Sequence, residues 1–298
     1  MPRSRVTSNP NVDGVSGEYA PARADHDTAR LPGAGLAGID AATELERAEQ
    51  ARALHMGELA SVHSWELVTA VDGPGTRMTV FFSGCPLRCL YCHNPDTMEM
   101  RRGQMVPTSE LIDRMLRYQR IFERTSGGIT LSGGEPLMQP RVIDRMLTAA
   151  KAVGIHTAID TSGNLGWRCT DAMLEKLDLC LLDIKSGDEE TYHRVTGRDL
   201  APTLDFAQRL EAAQVDVWVR FVLVPGLTDF PDNIDRVADL AAGIATCRRV
   251  EVLPFHQMGR DKWETLGMNY QLADVEPPSA EQTEAARAIF RHRGLVVH

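Results

Sequence analysis

The segment Met78-Thr79-Val80-Phe81-Phe82-Ser83 runs directly into Gly84-Cys85-Pro86-Leu87-Arg88-Cys89-Leu90-Tyr91-Cys92-His93-Asn94. The first part is a short apolar run rich in β-branched and aromatic residues, as a buried strand requires. The second is a loop that sets three cysteines at C-x3-C-x2-C spacing. Working outward, further strand-like runs fall at 128–131, 155–159, 177–182, 215–224 and 250–254. Segments of helical character lie at about 108–124, 139–153, 170–176, 203–214, 232–245 and 280–292. In the first of these, Leu111, Met115, Tyr118 and Phe122 recur at helical spacing and share one face. Thr170-Asp171 and Ser279 suit helix N-termini, where a side-chain oxygen accepts from an orphan backbone N–H. Strand–helix alternation predicts right-handed βαβ units and a parallel sheet.

The polar and Gly-rich clusters decide the architecture, because each sits at or just after a strand. Cys85–Cys92 follows the first run, Ser132-Gly133-Gly134-Glu135-Pro136 the second, Asp160-Thr161-Ser162-Gly163 the third and Asp183-Ile184-Lys185 the fourth. Arg220 lies within the fifth, and His256 follows the sixth. A barrel gathers all its strand C-termini at one site, whereas an open doubly wound sheet uses mainly its switch point. The sequence therefore predicts an α/β protein, an incomplete (β/α)6-type barrel of parallel strands with outer helices.

The chain has 298 residues, with 41 acidic and 32 basic side chains, giving −9 with histidine neutral. That acidity argues against a general nucleic-acid binder. No run reaches the roughly 18–20 apolar residues of a membrane span, and the start lacks the apolar stretch of a secretory signal, so a cytoplasmic protein is expected. Residues 1–57 are expected to be a disordered extension: the first forty or so are rich in Gly, Pro, Ala, Ser and Asp, and 41–55 suit a short exposed helix. Residues 58–298 form the domain, and Met56 is a candidate translation start.

Six cysteines in a chain this long do not make a disulfide scaffold. Three of them within eight residues point to a metal or redox centre. Three thiolates at this spacing suit a [4Fe–4S] cluster, which normally takes four, so one iron would stay open. A zinc site of three cysteines plus His93 is the competing reading, although neighbours as close as Cys92 and His93 chelate one tetrahedral ion with difficulty. Cys169, Cys180 and Cys247 read as small packing residues.

The cysteine loop, with Tyr91 before its third cysteine, resembles the signature of radical S-adenosylmethionine enzymes. The longer string Asp72-Gly73-Pro74-Gly75-Thr76-Arg77, with Phe81 through Asn94, is similar to the glycyl-radical-enzyme activases. So are Val252-Leu253-Pro254-Phe255-His256 and Gly259-Arg260-Asp261-Lys262-Trp263. No cysteine lies between Cys92 and Cys169, which speaks against the second cluster carried by several activases and favours the pyruvate formate-lyase branch. The resemblance implies a radical SAM barrel in which Cys85, Cys89 and Cys92 hold one [4Fe–4S] cluster. It implies that Tyr91, Cys92, His93, Gly134, Asp183, Ile184, Lys185 and His256 lie at the S-adenosylmethionine site. It places a monovalent cation at Asp160, Thr161 and Asp183; helix capping by Asp160 or Thr161 is the plainer alternative.

The implied activity is reductive cleavage of S-adenosylmethionine to a 5′-deoxyadenosyl radical that takes a glycine Cα hydrogen from a partner protein. Asp72, His93 and Arg220 are placed against that partner's glycine loop, although Arg220 suits pairing with a carboxylate of its own chain equally well. The implied partners are the glycyl radical domain of pyruvate formate-lyase and a flavodoxin or ferredoxin as electron donor, with the chain itself a monomer. Activation of another glycyl radical enzyme, such as anaerobic ribonucleotide reductase, is the nearest alternative. A non-catalytic zinc-binding protein is the alternative of a different class.

Overall fold

The computed structural model describes residues 36, 47–69 and 72–298. Eight strands form one sheet: β1 (Leu59–Thr69), β2 (Thr76–Phe82), β3 (Gln104–Pro107), β4 (Gly128–Gly133), β5 (His156–Thr161), β6 (Leu179–Asp183), β7 (Asp216–Leu223) and β8 (Cys247–Pro254). Their order is β3-β1-β2-β4-β5-β6-β7-β8. Every pairing from β2 to β8 is parallel, and each advances along the chain, as right-handed βαβ connections produce. The six expected strands are these six. The terminal strands β3 and β8 do not pair with each other, so the barrel is open.

The helices are α1 (Arg47–Met56), α2 (Thr108–Arg117), α3 (Gln119–Thr125), α4 (Pro140–Ala152), α5 (Asp171–Leu174), α6 (Glu189–Thr196), α7 (Ala201–Ala212), α8 (Pro231–Ala242), α9 (Arg260–Thr265) and α10 (Ala280–His292). The helix expected over 108–124 breaks at Tyr118, where φ −98° and ψ 2° turn the chain between α2 and α3. Antiparallel β1 and β3 were not expected. In β1 the residues His63, Ser64 and Glu66 interrupt the apolar run, and β3 is only four residues long. Helices α6 and α9 also escaped the periodicity argument, being short and polar.

Residues up to 46, Leu36 apart, and with them most of the expected extension, lie outside the described residues. Within α1, Ala53 is buried and the helix lies against β1 and α4.

Strand alternation sorts the chemistry. On β7, Val217, Val219, Phe221 and Leu223 are buried on the outer face among the helices, with the Phe221 and Phe290 rings 6.0 Å apart. Each such side chain contributes roughly 1.5–3 kcal/mol when fully buried. The intervening Trp218 and Arg220 face inward. Trp218 joins Ala158, Leu179 and Leu181 in a small apolar floor, over which Arg249 lies 3.5 Å from the indole centroid. Above that floor the barrel interior is charged.

Candidate functional site

The loop after β2 is tied down from several sides. The Gly84 and Cys85 amides donate to the Thr97 and Met98 carbonyls at 2.7 and 3.0 Å, and the Arg88 and Leu90 amides to Thr196 and Val195 at 2.8 and 3.0 Å. The Trp263 indole donates to the Cys92 carbonyl at 2.9 Å. Cys85, Cys89 and Cys92 are all free thiols and all half-buried. Burial pushes each thiol up, Cys92 to about 12, and the neighbouring sulfurs add to the rise at Cys85 and Cys92. Metal must therefore displace a proton from each sulfur on binding.

Among the described residues no three His, Cys, Asp or Glu side chains converge as ligands of a single ion do. Sulfurs sharing one zinc lie about 3.8 Å apart, given a Zn–S bond of about 2.3 Å. A loop that brings three sulfurs into one neighbourhood without that convergence fits a cluster, in which each sulfur takes its own iron. Cys169 and Cys180 are in the outer core and Cys247 opens β8, so none is placed as a fourth ligand.

The Gly133-Gly134 pair is explained by the packing of protein on protein. Gly133 has φ +116°, and a Cβ on Gly134 would meet the Gly84 carbonyl oxygen at 2.5 Å. Without side chains, the Gly134 amide reaches Phe82 O and the Glu135 amide reaches Gly84 O, both at 2.8 Å. β4 thereby grips the start of the cysteine loop. Glu135, whose role the sequence reading missed, is wholly buried. It accepts from Thr161 Oγ1 at 2.7 Å, Ser162 Oγ at 2.6 Å, and the Ser162 and Leu137 amides at 3.1 and 3.2 Å. The Gly-Gly-Glu sequence was visible, but the partners are 26 and 27 residues away. Thr161 Oγ1 also accepts from the Gly163 amide at 3.0 Å, a turn contact and not a helix cap.

Asp183 and Lys185 meet as their spacing of two predicts, Nζ to Oδ2 at 2.6 Å, with Nζ 5.7 Å from the Tyr91 ring centroid. Burial opposes the Lys185 charge, but Asp183 outweighs it and holds the ammonium protonated. Ile184 points the other way: its side chain is in the outer core, and its amide donates to Arg220 O at 3.0 Å. Only its backbone is available to a ligand.

Registry sets Asp183, Arg220 and Glu251 side by side across β6, β7 and β8. Arg220 pairs with Glu251 at 3.1 Å, Asp160 at 3.2 Å and Asp72 at 3.7 Å. Thus Arg220 is paired within its own chain, and one partner is Asp72, the other residue placed at the partner loop. Burial opposes the guanidinium charge, but Asp160, Asp183, Glu251 and Asp72 together raise its pKa. Burial in turn pushes Asp160 up, to about 6, against the pull of Arg220.

On the far side of the loop the His93 and His256 rings meet edge to face at 4.9 Å. Burial, then His256 and Lys262, lower the His93 pKa to about 4. A group missed from sequence holds the loop's end. Asp96 pairs with His63 at 2.8 Å and Lys262 at 3.4 Å, while Lys262 donates to Asn94 Oδ1 at 2.7 Å. Lys262 and Trp263 stood in a recognisable string, but their partners are over 160 residues away.

Among the buried polar atoms of this region without a protein partner are the Tyr91 hydroxyl, beside Lys185, and Asp160 Oδ1, facing Arg220 and Asp183. Such atoms are costly unless a ligand or water satisfies them. With three thiols and no fourth cysteine in place, the donor set fits a [4Fe–4S] cluster with an open iron and a polar nucleotide beside it.

An open parallel barrel with three cysteines on the loop after its first parallel strand defines a class, the radical S-adenosylmethionine enzymes. The model of the Radical SAM superfamily matches residues 79–241. A pyruvate formate-lyase-activating enzyme of Clostridium pasteurianum is 43% identical over 224 residues, 75% of this chain and 94% of the relative. One of Staphylococcus aureus (strain USA300) is 38% identical over 242 residues, 79% and 96% of the two chains. Among solved structures, Streptococcus suis SuiB bound to precursor peptide SuiA has a TM-score of 0.56 at 16% identity, covering 84% of this chain and 52% of that one. A radical SAM methyltransferase from Sphaerobacter thermophilus has a TM-score of 0.53 at 16% identity, covering 85% and 81%. These structures share the fold. The chain belongs to the Radical SAM superfamily and, within it, to the family of pyruvate formate-lyase-activating enzymes.

Proposed function

We propose that this enzyme activates pyruvate formate-lyase by generating a glycyl radical on it. The observation that carries the reading is the meeting of Cys85, Cys89 and Cys92 with the Tyr91–Lys185–Asp183 group at one end of the barrel. When bound there, the cluster and S-adenosylmethionine supply one-electron cleavage of the sulfonium and the carbon radical that takes a glycine Cα hydrogen. The chain's own residues orient and shield. Lys185, kept charged by Asp183, suits an anionic or hydroxyl group of the cofactor, and the free Tyr91 hydroxyl offers a second bond beside it. Gly134 lets the end of β4 pack against the start of the loop at Gly84, and His93 with His256 walls the opposite side.

Asp160 Oδ1, unpaired and backed by Asp183, is the acceptor around which a monovalent cation would bind, with Thr161 beside it. Asp72 and Arg220, paired in the free enzyme, are groups that an incoming glycine loop can engage by taking over their hydrogen bonds, with His93 at the rim. A flavodoxin or ferredoxin supplies the electron. Among the described residues no helix is long and apolar enough to cross a membrane, and we place the enzyme in the cytoplasm as a monomer.

The test is anaerobic reconstitution with iron and sulfide, followed by incubation with S-adenosylmethionine, a reductant and purified pyruvate formate-lyase. A glycyl-radical EPR doublet on the lyase and formation of 5′-deoxyadenosine are expected. A preparation that binds zinc, assembles no cluster and gives neither signal would return the chain to the non-catalytic reading. Radical formation on anaerobic ribonucleotide reductase alone would reassign the partner.

A further inference from the structure

The function above requires one electron from outside the chain, and the structure marks where it enters. We propose that the outer face of the cysteine loop, bearing Arg88, Arg101, Arg102 and Arg198, docks a small acidic one-electron carrier protein. This rests on the function proposed above and adds a surface to it.

Three observations meet there. First, the loop's outer backbone is capped by exposed guanidinium groups. Arg88 Nη1 donates to the carbonyls of Cys85 and Leu87, both at 2.7 Å, and Arg198 Nε to that of Pro86 at 2.9 Å. The Arg88 side chain thus runs from solvent to the backbone of a cluster-binding cysteine in one hydrogen bond. Electron transfer slows steeply with distance, and a carrier seated on this face meets the loop's backbone through a single hydrogen bond.

Second, the arginines form one patch. Arg101 pairs with Glu99 at 2.6 Å and Arg102 with the same carboxylate at 3.6 Å. The Arg101 hydrogen bond, with Arg102 and Arg88 behind it, holds the Glu99 carboxyl below its ordinary range. The acids beside these arginines are the half-buried Glu99 and the exposed Asp199, the latter 3.5 Å from His193. Four guanidinium groups against two carboxylates leave the face positive on a chain whose net charge is −9.

Third, the patch is separate from the barrel interior, where Asp72 and Arg220 lie, so a carrier and a glycine loop have different seats. Opposite charge across such a face steers encounter and fixes orientation more than it adds affinity. In the transfer itself one electron leaves the carrier, which is oxidised, and reduces the activase. No bond forms or breaks.

The experiment uses the full-length, reconstituted enzyme, flavodoxin as the probe, and the double variant R101E/R102E, whose side chains pair with Glu99 and not with the cysteine loop. Affinity for oxidised flavodoxin is measured by titration at low and moderate salt, and cluster reduction by flavodoxin hydroquinone is followed by stopped flow. Binding and reduction are expected to weaken about tenfold or more at low salt, with a flatter salt dependence. Dithionite-driven cleavage of S-adenosylmethionine should be unchanged. The control R291E/R293E makes the same charge change at the C-terminal end of α10 and its cap and should leave flavodoxin binding intact. Unaltered affinity and salt slope in R101E/R102E, or an equal loss in the control, would overturn the docking face. Absence of dithionite-driven cleavage in the wild type would strike the proposed function instead, and the binding titration would still decide the docking face.

Discussion

Cys89 is the middle sulfur of a loop whose backbone is fastened by β4, α6 and Trp263, so its loss removes a ligand without loosening the frame. Cys89→Ser is expected to bring iron per chain close to background after anaerobic reconstitution, with the far-UV circular dichroism unchanged; full iron retention would contradict the ligand role. Glu135 works through structure. Its four hydrogen bonds join the turn after β4 to the turn after β5. An amide keeps the shape but sets its NH2 against the donors that now point at an oxygen, at a cost of about 1–3 kcal/mol. Glu135→Gln should therefore lower the thermal midpoint by several degrees, read by calorimetry on the cofactor-free protein. Of these two, only the cysteine announced itself in the sequence, because a ligand type at a fixed spacing is a local signal. A buried glutamate is defined by partners that the fold brings from elsewhere.

At the scale of elements, the six parallel strands were legible because each holds a short apolar run, buried at nearly every position in β2, β4 and β6 and at alternate positions in β7, with a polar cluster in it or at its end. The antiparallel strands β1 and β3 were not, since polar residues interrupt β1 and β3 is only four residues long, so neither shows the pattern. The turn from α5 into β6 carries its own pH dependence. Asp178 accepts from the Thr157 amide at 2.9 Å and from Lys151 Nζ at 2.6 Å, joining that turn to β5. Burial alone would raise its pKa, but these donors overcome it and hold the carboxyl below its ordinary value. Because the folded pKa is depressed, the contribution is fully present above the unfolded pKa near 3.8 and is lost as pH falls through the folded value. Asp178→Asn should cost about 1 kcal/mol at pH 7, allowing for a side chain one-third exposed. Urea titrations should show that difference shrinking as pH falls below the unfolded value and through the depressed folded one.

Across the whole molecule, the cofactor site we propose joins the ends of β2, β4, β5 and β6 to the segment after β8, so ligand binding should stabilise the fold as a unit. S-adenosylmethionine at 100 times its dissociation constant adds about 2.7 kcal/mol to a protein that binds it only when folded. The reconstituted enzyme should melt several degrees higher with the cofactor, and Lys185→Ala should show a smaller shift at the same concentration while keeping its iron. An equal shift in both proteins would remove Lys185 from the site. The sequence by itself determined the strand–helix order, the three clustered thiols, and the polar clusters at strand ends, since all of these are written in spacing and periodicity along a few consecutive residues. Tertiary structure alone decided that the barrel stays open and that Gly134 makes room for Gly84. It also decided that Ile184 turns its side chain away, that Arg220 is shared among Asp72, Asp160 and Glu251, and that Lys262 reaches back to Asn94 and Asp96. The reason is physical: a side chain's partners, burial and charge are set by strand registry and by contacts tens to hundreds of residues apart, and no local pattern encodes where those meet.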